Sequence, residues 1–297
     1  MSDQAGVSRS FNRKLLAAII AIAGVLAILF WLNAAMPRLA LFWIFGLVLG
    51  FILQRSRFCF VSATSNCFLF RDTRLMEGIL GGLFVATLGF AFIMYRMAPD
   101  PSGGGAPLAA IVSPFGWHLA IGGILFGCGM MLSGGCVVGN LYRIGEGALS
   151  AAVSFLGIIL GMGILQFSWP WWWQNYVSGL QTIWLPAKVG WLGAVALTLV
   201  VITVLFLIVR RFKVRASPVT RPTGRDFGTR LADAPRLIFT KAWPLAVGGI
   251  ALSIMNVLLF QTAGRPWTAT GEVMSWAQGF FTLVHLPPPA FDAIPGT

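Results

Sequence analysis

Leu132-Ser133-Gly134-Gly135-Cys136-Val137-Val138-Gly139-Asn140-Leu141 sits between two long apolar stretches, and its three glycines free the backbone from helical geometry on both sides of a cysteine. Ten residues cannot cross about 30 Å of hydrocarbon. A second short segment, Arg55-Ser56-Arg57-Phe58-Cys59-Phe60-Val61-Ser62-Ala63-Thr64, also follows an apolar stretch and also carries a cysteine. Both read as re-entrant segments. Irregular backbone is tolerated at membrane depth only where protein buries it or it lines a polar cavity, so both are expected to line a path.

The two segments are copies. Gly46, Gly50, Ser56 and Cys59 recur as Gly123, Gly127, Ser133 and Cys136, each shifted by 77 positions. After an eight-residue deletion, Arg74, Glu77, Gly78 and Leu80 recur as Arg143, Glu146, Gly147 and Leu149. Duplicated units of this kind, set among apolar stretches, are a mark of membrane transport folds.

Outward from the repeat, composition fixes the solvent. Hydrophobic residues make up 57% of the 297-residue chain and charged residues only 10%, too little polar surface for a soluble protein. Seven stretches approach the roughly 20 residues of a transmembrane helix. They lie near 15–32, 36–54, 75–95, 115–132, 147–167, 188–209 and 243–260. The expected fold is therefore an all-α polytopic membrane protein of about seven transmembrane helices, with short re-entrant segments and an internal repeat. Its first apolar stretch is longer than a signal-peptide core and is followed at once by a second, so it is read as an uncleaved helix.

Basic residues favour the cytoplasmic side. With the N-terminus inside, seventeen Lys and Arg residues are cytoplasmic, and only Arg38, Arg96, Lys188 and Arg265 are not. The net charge of +12 thus reports topology, not nucleic-acid binding. The expected organisation is a cytoplasmic tail over residues 1–14 and a single membrane domain over 15–297. Within it lie repeat units at about 40–95 and 115–167 and a cytoplasmic basic loop at 210–242. That loop carries nine basic residues from Arg210 to Lys241, suited to anionic headgroups or to an acidic soluble partner. Trp169, Trp171, Trp172, Trp173 and Trp184 fall in an outer loop at headgroup level.

Cys59 and Cys136 are the candidates for chemistry. A thiol is a soft, weak hydrogen-bond donor and suits a sulfur-bearing ligand better than a hard oxyanion. A half-helix starting inside the membrane adds free N–H groups and about half a positive charge, which favours an anion. A metal site is not indicated, since His118 and His285 lie far from any cysteine in sequence and no C-x-x-C occurs. No cofactor is called for. A structural disulfide does not fit loops that face a reducing cytoplasm. Cys67 and Cys128 fall outside the repeated frame and read as packing residues. Plain packing also remains an open reading for Cys59 and Cys136. Arg74 with Glu77, and Arg143 with Glu146, are expected to form i,i+3 ion pairs in the first turn of the following helix. Gly-xxx-Gly steps at Gly46/Gly50, Gly78/Gly82, Gly123/Gly127 and Gly157/Gly161 are expected at helix contacts.

These motifs resemble those of the YeeE/YedE inner-membrane proteins of bacterial sulfur metabolism, and most closely its YedE-like branch. The resemblance rests on Arg55-Ser56-Arg57-Phe58-Cys59-Phe60, on Gly134-Gly135-Cys136-x-x-Gly139-Asn140-Leu141-Tyr142-Arg143-x-Gly145-Glu146-Gly147, and on Gly264-Arg265-Pro266-Trp267. It runs from about residue 40 to 275. It implies transport of a sulfur-containing anion, thiosulfate first, with selenium transport linked to one branch. Cys59 and Cys136 would pass the substrate along by S–H to sulfur hydrogen bonds, with Gly134, Gly135, Gly139 and Asn140 forming the path beside them. It also implies a multi-pass protein of the bacterial inner membrane. Members continue into a second half that repeats the architecture and provides a further cysteine, whereas this sequence runs to Thr297 with no cysteine after Cys136. The expectation is a half-pore that works with a second membrane half or as a homo-oligomer, or else a truncated gene product, with a cytoplasmic sulfur carrier protein as a further partner. Two other readings stay open: a non-transporting subunit of a sulfur-transport complex, and a membrane sulfur-transfer enzyme using a cysteine persulfide.

Overall fold

The structure, a computed structural model, describes residues 2–100, 112, 114–212, 243–264 and 266–286, with backbone alone for residues 2–15, 17 and 18. Among them every regular element is a helix. They are α1 (Ser2–Ala35), α2 (Pro37–Ser56), α3 (Phe60–Leu69), α4 (Arg74–Met97), α5 (Trp117–Ser133), α6 (Val137–Gly145), α7 (Leu149–Trp172), α8 (Leu185–Arg211), α9 (Leu245–Ala263) and α10 (Ala269–Leu283). Most of the basic loop expected at 210–242, the glycine-rich segment around 103–105, and Arg265 lie outside the described residues.

Six stretches among the described residues are long and apolar enough to cross a membrane: Pro37–Leu69, Arg74–Met97, Trp117–Gly145, Leu149–Val177, Leu185–Arg211 and Leu245–Ala263. Their starts fall within a few residues of six of the seven expected spans, but three run on past the expected ends: the first and third through the short helices after the cysteine breaks, and the fourth through the outer end of α7. The first expected span falls in α1, whose described apolar part, Ile19–Ala35, is shorter than a full span. The two cysteine segments do not stand apart as separate hairpins. Each is a break followed by a short helix that runs on from the long helix before it, giving stretches of 33 and 29 residues. At 1.5 Å per residue these would reach about 50 and 44 Å if straight, well beyond the hydrocarbon thickness.

The chain divides into two compact units, Met1–Phe51 and Ile52–Thr297. The first holds α1 and most of α2. In the second, α9 packs along α4, α8 packs on the same helix, α3 lies on α4, and α6 and α10 lie on α7.

Glycine explains the closest of these contacts. A Cβ on Gly82 would stand 2.7 Å from the Gly249 carbonyl oxygen, and one on Gly249 would collide with the Gly78 carbonyl. Ser253 locks the crossing, donating through Oγ to the Gly82 carbonyl at 2.6 Å. The Gly78/Gly82 step is thus a helix contact, as small-residue steps in membranes often are. Gly46, Gly50, Gly123, Gly127, Gly157 and Gly161 meet nothing within 4 Å, so those three steps do not serve that purpose among the described residues.

Two outer elements differ from the sequence expectation. Helix α7 extends through Trp169, Trp171 and Trp172 and passes into a π-helical turn, Trp173–Val177, so these residues leave the expected loop. Apolar side chains carry the helix that far despite Pro170, which lacks the N–H for one intrahelical bond. Helix α10 was not expected at all. Its fifteen residues are too short to span, and Glu272, Ser275 and Gln278 interrupt its apolar pattern. It forms because Val273 and Ala277, one turn apart, are buried. The chain enters it from α9 through Gly264, in the left-handed region at φ 74°. The Asn256 side chain then clasps the Trp267 backbone, accepting from its N–H at 2.9 Å and donating to its carbonyl at 3.4 Å. Asn256→Ala removes both bonds, at a cost of about 1–3 kcal/mol. Hydrogen exchange is expected to quicken at residues 266–283 while α4 stays protected.

Candidate functional site

The 77-residue shift found in the sequence is repeated in the backbone. Helix α2 ends at Ser56 and α5 at Ser133; Arg57 (φ 47°) and Gly134 (φ 65°) are both left-handed; Cys59 and Cys136 are the N-caps of α3 and α6. A left-handed residue stops a right-handed helix, and the cysteine in extended conformation starts the next. The glycine of the second copy takes this conformation without strain. Arg57 adopts it without that freedom, at a cost of about 1 kcal/mol or more.

Neighbouring elements fix both breaks. Val61 and Ala63 bury α3 against α4, which places Cys59. Phe58 reaches the α4–α9 crossing, 3.4 Å from where a Gly249 Cβ would stand, and Ser56 is packed against Gly248. On the second copy, Val137 is buried with Phe155 of α7 and Val273 of α10, which places Cys136.

The carbonyls freed at the second break are each given a donor. Ser154 Oγ donates to the Ser133 carbonyl at 3.4 Å, Arg143 Nη1 to Gly134 at 2.9 Å, and Ser133 Oγ and Asn140 Nδ2 to Gly135 at 2.6 and 3.4 Å. Unwound backbone at membrane depth needs such partners, since each unsatisfied group costs several kcal/mol. Asn140 is fully buried, and its Oδ1 has no partner among the described residues. Gly134, Gly135 and Asn140 therefore build the break. Gly139 has another place: a Cβ on it would lie 2.7 Å from Cys59 Sγ and 3.5 Å from Cys136 Sγ.

The two breaks meet at their cysteines. Cys59 Sγ lies 3.7 Å from Cys136 Sγ, within reach of an S–H to sulfur hydrogen bond. Cys59 is only 2% exposed and Cys136 is partly exposed; both are free thiols. Cys136 Sγ accepts from the Gly139 N–H at 3.3 Å, whereas the Cys59 side chain caps no amide of α3. Two helix N-termini thus begin at one pair of thiols, and each points partial positive charge towards it. Cys67 is buried on α3 and Cys128 is exposed on α5.

The charged residues are arranged differently from the expected i,i+3 pairs. Arg74 Nε lies 3.8 Å from Asp72, while Glu77 accepts from Thr73 Oγ1 at 2.7 Å. Arg143 turns back to the Gly134 carbonyl, and Glu146 lies 3.6 Å from Arg57 Nη2. For Arg143 and Glu146 the eight-residue deletion is the reason. It leaves Arg74 and Glu77 in the first turn of α4, but puts Arg143 and Glu146 at the end of α6, before α7 starts at Leu149. The Arg57–Glu146 link, which no local spacing in the sequence indicates, ties one break to the other. With Arg57 72% exposed, it contributes little to stability.

The sequence profile of the family described as Sulphur transport matches residues 55–287, which includes both breaks and all of α3 to α10. The chain belongs to this family. With six apolar spans among its described residues, it is a multi-pass membrane protein. Among curated relatives, "Probable transporter YedE" of Escherichia coli (strain K12) is 30% identical over 193 residues, 62% of this chain and 44% of the relative. "Thiosulfate transporter TsuA" of Spirochaeta thermophila is 33% identical over 145 residues, 46% of this chain and 39% of the relative. Its Escherichia coli namesake is 28% identical over 123 residues, 41% and 32% respectively. The chain spans less than half the length of each of these relatives. Family and relatives alike point to a transporter, not an enzyme.

Proposed function

We propose that this protein moves a sulfur-containing anion, thiosulfate first, across the bacterial inner membrane through a path that passes between Cys59 and Cys136. The observation that carries the reading is the 3.7 Å contact between two thiols, each the N-cap of a short helix inside an apolar stretch. Thiosulfate has a soft terminal sulfur and hard, charged sulfonate oxygens. The thiols suit the first, and the N-terminal turns of α3 and α6 offset part of the charge on the second. Gly139 leaves room for the Cys59 sulfur beside Cys136, and Gly134, Gly135 and Asn140 form the break. The N-terminus lies in the cytoplasm, as the distribution of basic residues favours.

A substrate passed by hydrogen bonds leaves each thiol unchanged. Inward movement of a dianion works against the membrane potential by about 4.6 kcal/mol per 100 mV. Consumption of the sulfur in the cytoplasm, through a carrier protein, draws the substrate inward.

A second reading, a half-pore completed by another membrane half or a second copy, is favoured by α5. That helix leads into the Cys136 break, yet none of its residues is buried, and Leu132 is 91% exposed beside the break. Both readings are tested in a host that cannot take up sulfur anions and is grown on thiosulfate alone. Growth with this chain by itself supports the first; growth only beside a separately encoded second half supports the second. Failure in both settings contradicts transport.

A further inference from the structure

We infer that Cys59 and Cys136 also form a reversible thiol–disulfide switch, in which peroxide joins the two sulfurs and a dithiol parts them again. The effect on transport rests on the reading just given; the disulfide itself does not. Both residues are free thiols, and their sulfurs lie 3.7 Å apart. A disulfide needs about 2.05 Å, so they must close by about 1.7 Å, through rotation about the Cα–Cβ bonds. Nothing stands in the way at Gly139, the residue against which both sulfurs lie, because it has no side chain.

Exposure sets the order of events. Cys136 is partly exposed and Cys59 is 2% exposed, so an oxidant meets Cys136 first. Hydrogen peroxide converts the Cys136 thiol to a sulfenic acid and is itself reduced to water. The Cys59 sulfur attacks the Cys136 sulfur, the S–O bond breaks, and the hydroxyl leaves as a second water with the Cys59 proton. The balance is two thiols and one peroxide to one disulfide and two waters. A cytoplasmic dithiol reverses it by exchange, becoming a disulfide as both thiols are restored. The joined form bridges the two repeats across the path and has no S–H left to offer a substrate sulfur.

The test uses the full chain with Cys67→Ala and Cys128→Ala, purified into liposomes and exposed to hydrogen peroxide without substrate. Mass spectrometry is expected to show the loss of two hydrogens, maleimide labelling after unfolding in denaturant to fall from two thiols to none, and the protein to remain a single chain without reductant. Dithiothreitol should restore both labels. With Cys59→Ser added, the mass should gain oxygen at Cys136 and lose no hydrogens. Two thiols still open to the label after peroxide, or a disulfide formed only between two copies, overturns the inference. Thiosulfate uptake by the same liposomes is expected to be lost on oxidation and to return with dithiothreitol. Disulfide formation with uptake unchanged refutes the switching role. Disulfide formation in a chain that moves no thiosulfate in either state refutes the proposed transport and leaves the thiol chemistry standing.

Discussion

Gly139→Ala is expected to abolish thiosulfate uptake while leaving the protein folded. The new Cβ would stand 2.7 Å from Cys59 Sγ and 3.5 Å from Cys136 Sγ, so the Cys59 sulfur must swing away and the pair loses its contact. The atom that moves is the end of a side chain, not backbone. Overpacking of this kind costs about 1–3 kcal/mol. Part is offset, because alanine is about 1 kcal/mol better than glycine inside a helix, and Gly139 lies in the first turn of α6. Thermal stability in detergent should therefore change little. A large loss of uptake beside a small change in stability separates a path role for the thiols from a packing role. A plain packing role predicts the reverse, with stability falling and uptake surviving in whatever protein remains folded.

Gly249→Leu is expected to have the largest effect on stability. Here the obstruction is backbone: a Cβ at this position runs into the Gly78 carbonyl, and the Gly249 carbonyl is itself 2.7 Å from the Cβ site of Gly82. Helices α4 and α9 must separate, which breaks the Ser253 hydrogen bond to the Gly82 carbonyl. The combined cost is about 3 kcal/mol or more. Phe58 lies beside this crossing, one residue before Cys59, so the damage reaches the site. Size-exclusion chromatography after graded heating should show this variant aggregating well below the parent protein. Gly157→Leu, at a position with open space around it, should behave as the parent does.

The repeat was the most legible feature of the sequence. A shift of 77 residues brought Cys59 onto Cys136, and the same shift brings the helix ends, the left-handed residues and the short-helix starts into register. Hydropathy located six spans because burial in lipid needs only length and apolar content. What was not legible depended on three-dimensional neighbours. Glu146 lies against Arg57 and not Arg143 because the deletion moved it to the end of a short helix, and no local spacing rule records that move. Helix α10 is specified by two buried positions, Val273 and Ala277, and by the clasp of Asn256 on Trp267. Its own sequence is too short and too polar to announce it. Ser133, Ser154 and Arg143 serve carbonyls that become free only once the helix breaks. The glycine steps show the same limit, since Gly78/Gly82 and Gly157/Gly161 look alike in sequence and only the first has a helix against it.

On the proposed reading, the paired thiols of Cys59 and Cys136 are the point through which substrate passes. Uptake of radiolabelled thiosulfate into liposomes should be measured for the parent protein, Cys59→Ala, Cys136→Ala and the double variant, each first shown to be folded and equally inserted. Loss of uptake in both single variants, with no further loss in the double, is the predicted result. Uptake that persists at the parent rate when both sulfurs are gone would contradict it.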